Sequence, residues 1–117
     1  MGKQDHMTRI VRFHKLGGPE VLKIDEVPSR QLCKGEALLS VLAIGLNRAE
    51  SMFMHGYYLE QAQLPATLGY EASGIVTDIG PNVDPSWLNK RVSTMPAFSM
   101  NQYGVLGNEV IDRKSVV

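Results

Sequence analysis

The sequence predicts a mainly β fold, a small and partly open β-barrel with one or two short helices. Short alternating or apolar runs recur along the chain, each bounded by turn residues. Glycines at 69, 74, 80, 104 and 107 suit the corners and bulges of a curved sheet. Between the runs, only Asn47 to His55 has helical character.

Thr8 to Phe13 alternates and reads as a strand, and "LGGPE" at 16–20 reads as a turn. Residues 21–27, "VLKIDEV", set Val21, Lys23 and Asp25 against Leu22, Ile24 and Glu26, the pattern of a half-buried strand. Pro28 to Gly35 is polar and loop-like. Residues 36–46 are apolar at both alternate sets, which predicts a strand covered on both faces. A helix over Asn47 to His55 follows, then a long loop at 56–68 holding Gly56 and Pro65. "GYEASGIVTDIG" at 69–80 is the next strand, "GPNVDPSWLNK" a turn-rich connection, and "RVSTM" and "GVLGNEVI" further strands.

The chain has 117 residues, one ordinary domain with enough length for a core of its own. Twelve basic and twelve acidic residues are spread along it, giving zero net charge. No basic stripe points to nucleic acid, and no polybasic segment points to a membrane surface. The longest apolar runs fall far short of a bilayer span. The single cysteine, Cys33, forms no internal disulfide, which fits a reducing, cytoplasmic setting. Residues 1–7 read as an expression scar or disordered leader ahead of a domain at 8–117. The chain stops at Val117 just past a strand-like stretch, without a Gly, Pro or polar tail, so a fragment of a longer protein is expected.

Three stretches carry a resemblance. "GEALLSVLAIGLNRAE", "LPATLGYEASGIVTDIGPNV" and "KRVSTMPAFSMNQYG" occur in the order found in the GroES-like catalytic domain of medium-chain dehydrogenases/reductases. The chain is most similar in pattern to the zinc-independent quinone oxidoreductases, in which G-[LV]-N opens the short helix and LG-x-E-x-x-G-x-V leads the next strand. The resemblance covers roughly residues 8–117. It implies a bilobal enzyme in which this barrel faces a Rossmann domain that binds NADPH, followed by a return segment completing the first lobe. No G-x-G-x-x-G occurs after a strand in these 117 residues. The implied reaction is hydride transfer to a quinone, ketone or activated alkene, the full-length enzyme being a homodimer and the isolated chain inactive. An enoyl reductase of the same superfamily is the near alternative. A non-enzymatic GroES-like binding or structural module is the alternative from another class, although residues 56–68 lack the Gly-rich character of a co-chaperonin loop.

Zinc-dependent members place a Cys at the helix start and a His in a G-H-E motif. Here those positions hold Asn47 and Tyr70, whose amide and phenol are poor ligands for Zn²⁺. The four cysteines of the family's structural zinc are likewise missing, and His6, His14 and His55 lack ligand spacing. No metal is therefore expected. Ala49 stands where zinc-branch members relay a proton through Ser or Thr.

Asn47 reads as a helix N-cap with Glu50 in the capping-box position, and the resemblance also places it beside the nicotinamide. Arg48 reads as a surface charge, which in some members approaches the cofactor diphosphate. The resemblance sets Tyr58 near the substrate cleft, where a phenol can orient a carbonyl. Asn47 and Tyr58 are thus the catalytic candidates, and Asn47 and Arg48 the cofactor candidates. Met52, Phe53 and Met54 read as core or pocket lining, Glu71 as partly buried and paired, and Trp87 as a surface or interface anchor. Asn101, Gln102 and Tyr103 read as turn or cleft-edge residues.

Overall fold

The computed structural model describes residues 6–94 and 99–113. Two partial sheets share the chain. Strands β1 (Met7–Phe13), β2 (Leu22–Pro28) and β4 (Ala66–Thr67) form one, in the order β2-β1-β4. Strands β3 (Glu36–Gly45), β5 (Glu71–Ile79), β6 (Arg91–Ser93) and β7 (Glu109–Arg113) form the other, in the order β6-β5-β3-β7. All pairings are antiparallel, including those of β1 with β4 and of β3 with β5 and β7, which are not consecutive in the chain.

The segment 104–108 stitches the sheets together. Val11 donates to the Leu106 carbonyl at 2.9 Å, Asn108 donates to Arg9 at 3.0 Å, and Ile10 bridges Gly107. The strand expected over 104–111 thus begins only at Glu109. A side chain on Gly107 would sit 2.9 Å from the Arg9 carbonyl oxygen, so the close approach to β1 replaces regular pairing here.

Each sheet has its own core. Phe13, Val21, Phe53, Met54, Ala66, Leu68 and Met100 fill the first. Phe13 and Phe53 meet edge to face, with ring centroids 5.6 Å apart. Ala37, Leu39, Ala72, Val76, Val105 and Val110 fill the second, and Trp87 packs against it rather than standing free as an anchor.

Strand β3 is covered on both faces only in its first half. Ala37 and Leu39 are fully buried, whereas Leu42 and Ile44 are exposed. The cause is a change of register: Val41 pairs with Gly74 but Ala43 with Ser73, leaving Leu42 without a partner across β5. Beyond this bulge the strand runs out past the core to the corner that carries the helix.

Helix α1 (Arg48–His55) follows the N-cap Asn47, which has an extended backbone, and stops at Gly56 in the left-handed region at φ 85°. A second, short helix α2 (Met100–Tyr103) begins at Ser99, whose hydroxyl accepts from Gln102 N–H at 3.2 Å. Residues 101–103 thus belong to a helix rather than a turn. The loop 56–68 contains the two-residue β4 and is otherwise irregular, as its composition predicted.

Strand β1 takes in Met7, and the His6 carbonyl accepts from Ser29 N–H at 2.9 Å. The sheet therefore includes residues that the sequence assigned to a leader; residues 1–5 of that leader lie outside the described residues. So do 95–98, which include the end of "RVSTM", and the chain end at 114–117. Among the described residues no helix is long and apolar enough to cross a membrane.

Candidate functional site

The corner between β3 and α1 is built around one buried carboxylate. Glu50 is 5% exposed. Its Oε1 accepts from Asn47 N–H at 3.1 Å, completing the capping box that the Asn47–Glu50 spacing predicts. Its Oε2 accepts from Tyr70 N–H at 3.2 Å. Glu50 is therefore more than a cap: it ties the first turn of α1 to the chain entering β5. A carboxylate at a helix N-terminus is also favoured by the helix dipole.

Tyr70 continues the network. Its hydroxyl lies 2.9 Å from that of Tyr58, and the two rings are tilted with centroids 6.4 Å apart. Phe53 meets Tyr58 edge to face at 6.3 Å, so the buried core of α1 also supports the Tyr58 ring. Burial, with the bond to Tyr58 second, holds the Tyr70 phenol well above its ordinary pKa. Tyr70 is neutral throughout the physiological range.

Glu50 thus holds the backbones of Asn47 and Tyr70, and the Tyr70 hydroxyl in turn meets that of Tyr58. Arg48, the first helical residue, is exposed, and its side chain makes no hydrogen bond or ion pair among the described residues. Within α1, Phe53 and Met54 are core, while Met52 faces outward. Tyr57 stacks on His55 at 5.9 Å and stays exposed.

Glu71 departs from expectation. It is exposed, and among the described residues its side chain makes no hydrogen bond or ion pair. It lies opposite Gly45 in the β3–β5 pairing, with its carboxylate over the glycine, where a Cβ would collide with it. With Ala43, Ser73, Ser93 and Thr94 it lines a shallow pocket of about 310 Å³.

Two residues at this corner carry roles that sequence reasoning missed. Tyr70 was visible only as a failed zinc-ligand position, and nothing in its spacing to Tyr58 predicts contact across twelve residues of loop. Glu60 anchors that loop: its carboxylate accepts from Ser99 Oγ at 2.7 Å, Met100 N at 2.8 Å and Asn101 Nδ2 at 3.0 Å. The single acidic residue of the loop 56–68 was the one available signal. Among the described residues no three His, Cys, Asp or Glu side chains gather as a metal-binding group. A groove of about 630 Å³ is lined mainly by Ile10, Val11, Ile24, Ile44, Leu46 and Leu106, of which Leu46 directly precedes Asn47.

Two partial antiparallel sheets, each on its own core, with a capped helix at their open corner, define a GroES-like β-barrel domain. The chain belongs to the alcohol dehydrogenase GroES-like domain family, whose model matches residues 33–110. It is 36% identical over 97 residues to the quinone oxidoreductase of Salmonella typhimurium, covering 80% of this chain and 29% of that protein. It is 31% identical over 111 residues to quinone oxidoreductase 1 of Escherichia coli, covering 95% of this chain and 33% of the relative. Among solved structures, the Escherichia coli quinone oxidoreductase complexed with NADPH superposes with a TM-score of 0.75 at 31% identity, covering 91% of this chain and 31% of that one. The chain spans about a third of the length of these relatives. The resemblance to medium-chain dehydrogenases/reductases of the quinone oxidoreductase type, read from the three motifs, is thereby confirmed.

Proposed function

We propose that this domain is the substrate-side lobe of an NADPH-dependent oxidoreductase that passes hydride to a quinone, ketone or activated alkene. The observation that supports the reading most is similarity to quinone oxidoreductases along nearly the whole chain, including the segment that builds the Asn47–Tyr58 network. The exposed apolar side chains of Leu46, Tyr57 and Leu59, next in sequence to Asn47 and Tyr58, are consistent with a second lobe packing at this corner.

The residues present suit the cofactor. Arg48 is an exposed guanidinium at the start of α1 without a partner among the described residues, and its fork matches phosphate geometry. Asn47 offers a carboxamide on a backbone fixed by Glu50, able to meet polar atoms of a nicotinamide. When bound, NADPH supplies the hydride. Asn47 then orients, Arg48 holds phosphate, and Tyr58 donates a hydrogen bond to the acceptor's oxygen. Rigid support by Glu50 and the Phe53 core keeps these groups in place. At the positions where zinc-dependent relatives put ligands, Asn47 and Tyr70 offer an amide and a phenol, so no step is assigned to a metal.

The test is NADPH oxidation by the product of the native reading frame, with 1,4-naphthoquinone and an enoyl thioester as acceptors. Turnover with the quinone supports the reading, and turnover with the enoyl thioester alone moves it to the enoyl reductase branch. A native product that neither binds nor oxidises NADPH refutes it. The 117 residues alone are expected to show no turnover.

A further inference from the structure

We infer that Tyr70 is a positioning residue, which fixes the hydroxyl of Tyr58 so that its free proton points to an acceptor oxygen on the substrate. The inference rests on the functional reading above and deepens it by naming a neutral carbonyl oxygen as the group recognised. Two phenols 2.9 Å apart carry two hydroxyl protons and use one between them. Among the described residues neither hydroxyl has another hydrogen-bond partner, so one proton is left over. Both phenols are half-buried against the same core, and burial with the bond to Tyr58 favours the protonated form of Tyr70. Either hydroxyl can be the donor within the pair; in the arrangement inferred, Tyr70 donates and the leftover proton belongs to Tyr58.

Each ring is held by a different part of the fold. The Tyr70 amide is fixed by Glu50, while the Tyr58 ring rests edge-on against Phe53. Tyr58 itself sits in an irregular loop beside the exposed Tyr57 and Leu59, so the hydroxyl bond is what fixes its tip. A single phenolic donor among apolar neighbours suits a neutral carbonyl.

The test measures the native gene product and its Tyr58→Phe, Tyr70→Phe and double variants with 1,4-naphthoquinone, together with ¹³Cζ-tyrosine NMR titrations. Each single variant is expected to lower kcat/KM about three- to tenfold, the worth of one hydrogen bond. The double variant should lose no more than Tyr58→Phe, because Tyr70 acts only through Tyr58. In Tyr58→Phe the Tyr70 resonance should titrate at lower pH than in the wild type. Losses that add in the double variant, or a Tyr70 titration unmoved by Tyr58→Phe, overturn the inference while leaving the functional reading intact. Absence of any NADPH-dependent turnover by the wild type defeats the functional reading and the acceptor half of the inference; the titration then judges the phenol pair by itself.

Discussion

Replacing Glu36 by Gln should remove one of the main pH-dependent supports of the barrel. Glu36 is 3% exposed at the start of β3. Its carboxylate accepts from both Arg30 Nη atoms, at 2.8 and 3.0 Å, from Cys33 N–H at 2.8 Å and from the Tyr103 hydroxyl at 2.7 Å. It thereby ties the 28–35 loop and helix α2 to β3. Burial alone pushes this carboxyl up, but the Arg30, Cys33 and Tyr103 hydrogen bonds together outweigh it. The net result lowers the pKa from an ordinary 4.5 to about 2.

A depression of that size corresponds to about 3 kcal/mol of folded-state stability at neutral pH. Solvent around the half-exposed Arg30 guanidinium reduces the figure to about 2 kcal/mol. Because the folded pKa is lowered, this stability is present above pH 4.5 and is lost as pH falls toward 2. Urea unfolding followed by the fluorescence of Trp87 at pH values from 7 to 2.5 reads it directly. Wild type should exceed Glu36→Gln by about 2 kcal/mol at pH 7, and the two curves should converge at the acid end. A constant offset from pH 7 to 2.5, or no offset at pH 7, would refute the reasoning.

Other perturbations follow from the same contacts. Glu50→Gln places an amide NH₂ against one of the two backbone N–H groups that the carboxylate satisfies, and should cost about 1–3 kcal/mol in urea unfolding. Gly74→Ala drives a Cβ into the Ser40 carbonyl oxygen within the β3–β5 pairing, and should lower stability by about 1–3 kcal/mol, read as a lower melting temperature. Arg48→Ala in the native gene product should raise KM for NADPH about fivefold while leaving kcat nearly unchanged, since about 1 kcal/mol of uniform binding is lost. Dialysis of that product against a strong zinc chelator should leave kcat/KM unchanged, because Asn47 and Tyr70 offer no thiolate or imidazole.

Much of the fold was legible in the sequence because its signals are local. The Asn47–Glu50 spacing predicts the capping box, Gly56 the helix stop, and the alternation of residues 21–27 the edge strand β2. Features that depend on distant partners were not legible. The exposure of Leu42 and Ile44 comes from a bulge across β5, which the apolar run 36–46 does not reveal. Helix α2 begins at Ser99 and Glu60, the latter some forty residues away, and its four residues are too few for periodicity to register. At the site, local chemistry picked out the Asn47–Glu50 cap, and the family resemblance singled out Asn47, Arg48 and Tyr58; the contacts of Glu50 and Tyr70 exist only once β5 returns to the corner. Glu71 was expected to be partly buried and paired from its motif, yet it lies open at the surface with its carboxylate over Gly45.

The central claim, that this lobe serves hydride transfer from NADPH, is tested most directly by following NADPH absorbance with the native gene product and 1,4-naphthoquinone, with Tyr58→Phe as the paired variant. The account predicts quinone-dependent oxidation of NADPH, reduced about three- to tenfold in kcat/KM by the loss of one phenol. Oxidation unaffected by Tyr58→Phe would detach the Asn47–Tyr58 corner from the chemistry, and a native product that neither binds nor oxidises NADPH would contradict the claim outright.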